Sequence, residues 1–491
     1  MTPERSLPIQ DRNARRATFA IARQRAFRPT PRAAIQAILS GALLAAALAP
    51  RLSSSTGEHS RPSSALPANP FSKPYLNLPP LAAGPFPPLL SQTGAFRSVR
   101  ERAPNPTLIP YDLIVPFWSD GADKFRWMSM PKGKVDFSST SEWKFPPGTV
   151  FVKEFDLPVD ETNPAVVRRL ETRFLVRDAD GGVYGITYRW RADGSDADLL
   201  ATSATEEITI KTPTGSRTQT WYYPSREDCL TCHTPLAGGV LGVKARQLNR
   251  GLAYPSGATA NQLVAWNQAG LFGARLGDSE LLASPKLANA GDASRTIEDR
   301  ARSYLDANCA QCHRPGGTVA YFDARYETPL PAQGLIQGRV LIDEGIDRAH
   351  IVSPHDIWRS ILLMRVDTED TFLMPPLARM TVDAASVRLL REWILSLPGP
   401  PVLDPPRFSP AGGTFDAPIK VTLTSTEPGA VIHFTLDGSQ PTSEDPVYEA
   451  PFEISEPKVV RARAFKQGFT RSIIAQQIYQ VRAGGGQGRG R

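Results

Sequence analysis

The chain contains 491 residues, which is room for roughly three domains of about 100–200 residues each. Its formal net charge of +7 is concentrated at the N-terminus, where residues 1–49 hold eight arginines. The rest of the chain is therefore close to neutral, and no nucleic-acid partner is expected.

Residues 1–49 are typical of a secretory signal peptide. A basic stretch ends at Arg32, the apolar run Ala33–Ala49 follows, and residues 47–49 offer an Ala-x-Ala cleavage pattern. The apolar run is shorter than the roughly 20 residues that span a membrane. We therefore expect export to the periplasm or another extracytoplasmic compartment, with an uncleaved membrane anchor as the alternative. Residues 50–106, rich in Pro, Ser and Ala, are expected to form a flexible linker.

Residues 107–220 are expected to form a β-rich domain. Short β-branched and aromatic stretches are separated by turn residues such as Asp180-Gly181-Gly182. The predicted strands are Thr149–Phe155, Val166–Val176, Gly182–Trp190, Glu207–Lys211 and Thr218–Tyr223. Five of the eight tryptophans lie in this domain, and core packing explains them better than a sugar platform or a cover for a haem.

All four cysteines lie in two copies of the motif Cys-x-x-Cys-His. In this motif two thiols attach a c-type haem as thioethers, and the adjacent His binds the iron. The motifs predict two covalently bound haem c groups. The attaching residues are Cys229, Cys232, Cys309 and Cys312, and the proximal ligands are His233 and His313. Two alternatives remain: a zinc site, although the two Cys pairs are far apart in sequence, and redox dithiols, which would not need the histidines.

Helices are expected to dominate residues 221–398, as a first haem unit at 221–292 and a cytochrome c domain at 293–398. Capping-box pairs predict helix starts after Ser225, Thr259 and Thr296. Asp383 can cap a last helix, which Pro398 ends.

The segment before that last helix contains Met374, whose thioether favours ferrous haem. We expect Met374 to be the distal ligand of the second haem. Met364 and Met380 are the substitutes, and the alternative is that all three methionines serve packing.

The first haem unit lacks a local distal ligand, because neither Met nor His occurs between His233 and His313. The candidates elsewhere in the chain are Met128, Met130, His350 and His355. The remaining alternative is a first haem iron that is open or weakly closed.

Residues 399–407 are Pro-rich and indicate a linker, whereas residues 408–482 alternate as a small β-sandwich does. Its predicted strands are Lys420–Thr424, Val431–Leu436, Val459–Phe465 and Ile473–Tyr479. Residues 483–491 are expected to be a disordered tail. The expected fold is multidomain: a β-rich N-terminal domain, all-α cytochrome c units and a C-terminal immunoglobulin-like β-sandwich.

Residues 105–398 resemble a family of largely uncharacterised bacterial dihaem c-type cytochromes. The segments that carry the resemblance are Tyr111–Ala122, Phe145–Thr149, Tyr188–Trp190, Pro224–Arg226, Gln247–Asn249 and Ser303–Cys309. The resemblance implies an exported electron carrier with an N-terminal β region.

The end of the chain resembles the chitobiase/β-hexosaminidase C-terminal-type module at Gly412–Phe415, Phe434–Thr442 and Ala462–Lys466. That family implies an immunoglobulin-like sandwich appended to surface and secreted proteins, which serves as a spacer or as a sugar-binding module.

We therefore expect an exported dihaem cytochrome c that relays electrons between extracytoplasmic redox proteins. One alternative is a haem peroxidase or oxidase that uses an open first haem. Another is a carbohydrate-associated surface protein that has a polysaccharide or surface partner at its C-terminal module.

Overall fold

The computed structural model describes residues 65–67 and 69–482. The predicted signal peptide at 1–49, the first part of the predicted linker and the tail at 483–491 lie outside these residues. The chain divides into two compact units, one formed by residues 63–399 and the other containing the C-terminal part from Pro400 onward. In the described part of the chain, no helix combines the length and the apolarity needed to cross a membrane.

A six-stranded antiparallel sheet is the largest element of the first unit, and a hairpin of β1 (Phe96–Ser98) and β2 (Ala103–Pro104) precedes it. The sheet strands are β3 (Ile109–Pro110), β4 (Asp123–Ser129), β5 (Val150–Pro158), β6 (Val167–Arg177), β7 (Val183–Trp190) and β8 (Ala197–Leu199). Each strand pairs with its neighbours in the sequence, so the sheet is a meander. A separate hairpin of β9 (Ala204–Thr212) and β10 (Gly215–Tyr223) follows.

One face of the sheet is covered by residues from the segment predicted to be a linker. Leu76, Leu90 and Phe96 pack in one core cluster with Val152 and Phe174. The high Pro and Ser content of residues 50–106 obscured these apolar side chains, and several residues of the described part of that segment belong to the core. Because side chains alternate along a strand, the opposite face carries a different set of residues, which lines the candidate site.

The expected all-α cytochrome c units are not found among the described residues, so the fold-class prediction is wrong on this point. The described residues are β-rich, and five of their seven α-helices contain seven residues or fewer. The helices are α1 (Arg226–Cys232), α2 (Ala245–Leu248), α3 (Gln262–Gln268), α4 (Asp278–Leu282), α5 (Ile297–Asn308), α6 (Ile361–Val366) and α7 (Ala384–Ser396).

Strands and irregular chain fill the space between these helices. A hairpin of β11 (Gly251–Ala253) and β12 (Thr259–Asn261) lies within the predicted first haem unit. Between α5 and α6 the chain consists of turns, isolated bridges and the short 3-10 helix Leu330–Ala332. Gly and Pro recur from residue 315 to residue 345, and they interrupt helical hydrogen bonding there.

The helix starts were predicted better than the helix content. Ser225, Thr296 and Asp383 each cap a helix through the side chain, as expected. The start predicted at Thr259 is wrong, since Asn261 caps α3 instead. α5 and α7 share one core cluster, to which they contribute Leu305 and Leu390.

The C-terminal unit contains a three-stranded and a four-stranded sheet, in the orders β13-β15-β17 and β14-β19-β18-β16. The strands are β13 (Arg407–Ser409), β14 (Gly413–Phe415), β15 (Ile419–Thr424), β16 (Val431–Thr435), β17 (Phe452–Ile454), β18 (Lys458–Phe465) and β19 (Ala475–Val481). Residues from both sheets, including Val421 and Val460, form one core cluster. The four strands predicted here are confirmed within a few residues.

Candidate functional site

The first Cys-x-x-Cys-His motif is held by a capped helix. Ser225 accepts a hydrogen bond from the Asp228 backbone N–H, and the Asp228 carboxylate accepts one from the Ser225 N–H at 2.8 Å. This reciprocal capping box fixes the start of α1. Cys229 packs against β7 at Gly185. A Cβ added to Gly185 would lie only 2.5 Å from the Cys229 Sγ. Gly185 therefore permits the close approach of the thiol to the sheet.

His233 is oriented by a backbone carbonyl. Its Nδ1 lies 2.8 Å from the Gly239 oxygen, which makes Nδ1–H the donor and leaves Nε2 without the proton. Burial lowers the pKa of His233 to about 4. The imidazole is therefore neutral at pH 7.

The second motif follows the longer helix α5. Its His313 ring stacks on Phe322, with 4.2 Å between the ring centroids. Burial lowers the pKa of His313 to about 4, and the nearby charge of Arg365 contributes to the shift. Among the residues that the structure describes, none provides a hydrogen-bond partner for the buried His313 Nδ1. The two motifs thus hold their histidines in different ways.

The two motifs meet at their second cysteines. The Cys232 and Cys312 thiols, although far apart in sequence, are close enough for each to shift the pKa of the other. Their interaction lowers the pKa of the Cys312 thiol and raises that of Cys232. Burial raises the pKa of Cys309 to about 12. All four cysteines are free thiols in this structure.

A cavity of about 190 Å³ lies beside the first motif. Its lining comes from the sheet, from α1 and from residues near α5. The residues with polar or reactive side chains include Arg126, Lys153, Arg173, Asp228, Cys229, Cys232, His233, Lys244 and Asp306. The thiols of the first motif therefore share one space with several cations.

An extended segment, residues 111–122, connects the regions around the site. The Gln247 side chain accepts a hydrogen bond from the Val115 N–H at 2.9 Å and donates one to the Val115 carbonyl at 2.7 Å. Gln262 makes the same two-pronged contact with Asp112. Buried amide side chains thus act as partners for the backbone of this segment.

The same segment also reaches the second motif. The Trp118 N–H donates to the Asn308 Oδ1 at 2.8 Å, directly before Cys309. The Asp120 carboxylate accepts hydrogen bonds from the N–H groups of Met380 and Thr381, both at 2.8 Å. These contacts fix α5 and the chain before α7 against the β-rich region.

The predicted distal ligands occupy different environments. The Met374 N–H donates to the Arg365 carbonyl at 2.8 Å, and the Arg379 guanidinium donates to the Met374 carbonyl at 2.9 Å. Met364 lies on α6, and Met380 is exposed. Arg365 is thus a neighbour of both Met374 and His313.

The candidates for the first haem do not converge on His233. Met128 and Met130 are fully buried in a core cluster, which supports the packing interpretation. The His350 Nδ1 lies 3.3 Å from the Ser353 hydroxyl oxygen. His355 has a left-handed backbone, with a φ of 58°. Neither histidine lines the cavity beside the first motif.

The prediction of two covalently bound haem c groups is contradicted. In residues 65–67 and 69–482, no three or more His, Cys, Asp or Glu side chains are grouped so as to hold a metal ion. This finding also removes the zinc alternative from the described residues. The axial roles of His233, His313 and Met374 depended on the haem groups and are not carried further.

Several residues of the site were not expected from the sequence. Gly185, Lys153 and Arg173 lie within strands that were predicted, and their roles follow from which face of the sheet they occupy. The available signal was a pair of charges inside an apolar stretch, Lys153 and Glu154 between Val152 and Phe155.

Comparison with known families identifies one part of the chain. Residues 410–476 match the chitobiase/β-hexosaminidase C-terminal domain. No curated protein matches the chain. The resemblance of residues 105–398 to dihaem c-type cytochromes finds no support in these comparisons.

The matched domain contains a shallow groove of about 300 Å³. Phe465 and Phe469 line it together with the polar side chains of His433, Lys466, Gln467 and Arg471. The Lys466 ammonium lies 4.7 Å from the Phe469 ring centroid. Two aromatic side chains and several hydrogen-bond donors therefore lie together in this groove.

Proposed function

We propose that the chain is an exported redox protein that passes electrons between extracytoplasmic partner proteins, with the two Cys-x-x-Cys-His motifs as its centre. One observation carries the proposal: the proximity of the Cys232 and Cys312 thiols, which shifts the pKa of both. The two haem groups are not part of it, and a haem peroxidase or oxidase is not proposed either. The predicted signal peptide supports export.

The proposed couple is a dithiol that closes to a disulfide. The Cys312 thiolate attacks a disulfide of the partner and releases one partner sulfur as a thiolate. The Cys232 thiolate then attacks the mixed disulfide, releases the second partner sulfur and forms the Cys232–Cys312 bond. The chain loses two electrons and two protons, and the partner disulfide becomes a dithiol. Such couples operate in oxidising compartments.

The electrostatics of the pair favour this order of attack. The interaction with Cys232 lowers the pKa of Cys312 despite its burial, and the charge of Arg314 lowers it further. A lowered pKa raises the thiolate fraction of the attacking cysteine. Cys312 and Cys232 are both partly exposed, so a partner disulfide has access to them.

Apolar side chains near the motifs offer a surface to a partner. Leu230 lies within the first motif and is 47% exposed, and Leu236 follows it at 46%. Val319 and Tyr321, which follow the second motif, are also exposed. Exposed apolar side chains near a reactive pair are typical of protein interaction sites.

The proposal is tested by counting thiols in the full exported chain before and after mild oxidation. We expect four alkylated cysteines after reduction and two after oxidation, with a Cys232–Cys312 peptide in the digest. The Cys309→Ser control keeps this disulfide, whereas Cys312→Ser does not form it. Four alkylated cysteines after oxidation would contradict the proposal. So would a protein mass above that of the polypeptide, because it would mean that another group is bound to the motif thiols.

The groove in residues 410–476 favours a second function, attachment to a polysaccharide. We expect the full chain to bind insoluble chitin or cellulose and Phe469→Ala to bind it several-fold more weakly. Leu436→Ala is the control, because Leu436 is exposed on the same unit and does not line the groove. Equal retention of both variants, or no retention of the unaltered chain, would exclude this role.

A further inference from the structure

Three cations lie side by side on the sheet face that lines the cavity. In the strand register Arg126 of β4 is opposite Lys153 of β5, and Lys153 is opposite Arg173 of β6. Like charges at directly opposed positions destabilise a sheet. The row therefore needs compensating negative charge.

Two members of the row have that compensation within the protein. Arg126 donates to the Asp112 carboxylate at 2.9 Å. Arg173 forms a two-pronged ion pair with Glu171, at 3.0 and 2.5 Å. Both guanidiniums are thus neutralised by carboxylates.

The middle member, Lys153, has a different environment. Its ammonium lies 4.9 Å from the centroid of the Phe155 ring, and the Arg173 guanidinium lies 4.4 Å from the same centroid. None of the ion pairs found among the described residues includes Lys153. Burial, and then the charges of Arg126 and Arg173, lower the pKa of Lys153 well below its usual value. The nearby Glu171 carboxylate acts on Lys153 but is already paired with Arg173. Lys153 thus has no carboxylate partner of its own among the described residues and is an uncompensated amine on the wall of a cavity.

The carboxylates that line the same cavity are already engaged. Asp228 accepts from the Tyr222 hydroxyl at 2.6 Å and caps α1. Asp306 is paired with Lys244 at 2.9 Å, and Glu142 with Arg314 at 2.8 Å. The cavity volume of about 190 Å³ equals the share of roughly six liquid waters. The space therefore suits a small ligand.

We propose that this cavity binds a small anion, a carboxylate or an inorganic oxyanion, through the ammonium of Lys153 between Arg126 and Arg173. The anion would lie in the space that Cys229, Cys232 and His233 also line. The site goes beyond the proposed redox role, and it stands even if the two motif cysteines never form a disulfide.

Thermal unfolding of the full chain tests the site, with inorganic phosphate or succinate compared with chloride at equal ionic strength. We expect the unfolding midpoint to rise by several degrees with at least one of the two anions. A response to phosphate alone identifies an oxyanion site, a response to succinate alone a carboxylate site, and a response to both a site selected by charge.

The variant Lys153→Met removes the uncompensated amine, and we expect it to lose the anion-induced rise. Lys144→Met is the matched control, because Lys144 is 84% exposed and lies outside the cavity lining, and it should keep the rise. In chloride alone Lys153→Met should unfold no earlier than the unaltered chain, since it relieves repulsion. A rise of equal size in all three proteins, or no rise with either anion, would overturn the proposal.

Discussion

The two Cys-x-x-Cys-His motifs have the same pattern and are supported in different ways. The first lies on α1, packs against the sheet at Gly185 and anchors its His233 to the Gly239 carbonyl. The second follows α5, packs among helices and stacks its His313 on Phe322. Position in the chain, rather than the motif itself, thus decides how each motif is held.

The difference also shows where the two motifs depend on each other. The helix of the second motif carries Asp306, and residues that follow the first motif carry its partners Lys244 and Arg246. Together with the Cys232–Cys312 contact, this buried ion pair joins the two motif regions. Substitutions can therefore distinguish the contacts that stabilise one motif from the contacts that join the two motif regions.

The largest effect is expected for Asp306→Asn. The Asp306 carboxylate is fully buried, and its neutralisation would leave Lys244 and Arg246 without their shared buried counter-ion. Removing one partner of a buried pair costs about 3–5 kcal/mol. Chemical unfolding of the full chain measures this loss.

The control for Asp306→Asn is Glu298→Gln on the same helix. Glu298 is half-exposed and lies 3.6 Å from Arg302, so we expect a change of about 0.5 kcal/mol or less. A similar cost for the two variants would show that the buried ion pair does not couple the motifs.

The next effect is expected for Gly185→Ala, which acts on the first motif alone. The new Cβ would overlap the Cys229 Sγ, so α1 or β7 must shift. Overpacking of this kind costs about 1–3 kcal/mol. Gly251→Ala is the control, because its Cβ would have its nearest neighbour at 3.9 Å. If the two variants unfold alike, Cys229 does not pack tightly on the sheet.

The sequence predicted those features of the site that depend on local patterns. Ser225 and Thr296 correctly predicted helix starts, and alternating apolar residues correctly predicted strands such as β6. The packing of Leu90 from the presumed linker, the contact between Cys232 and Cys312 and the cation row depend on tertiary contacts. The cofactor was inferred from a short motif, and a motif does not contain the ligand geometry around it.

A smaller effect is expected from pH. Both histidines have folded-state pKa values of about 4, against about 6.5 when unfolded. The unfolded chain therefore binds more protons between these values, and stability present above pH 6.5 is lost as the pH falls towards 4. We expect His233→Gln and His313→Gln each to reduce the loss between pH 7 and pH 5 by about 2 kcal/mol. A much smaller reduction for His313→Gln would mean that its ring, which lacks the carbonyl anchor, is more open to water.

The smallest effect is expected at the helix caps. Ser225→Ala removes one half of a reciprocal capping box, whereas Thr296→Ala removes a single hydrogen bond, from the Asp299 N–H at 3.1 Å. Each should cost about 1 kcal/mol in the free energy of unfolding. Ser225→Ala should cost more, because Asp228 then loses a partner in the box that holds the first motif. A larger loss of unfolding free energy for Thr296→Ala would reverse the comparison. It would mean that the N-terminal cap of α5 stabilises the second motif more than the capping box of α1 stabilises the first.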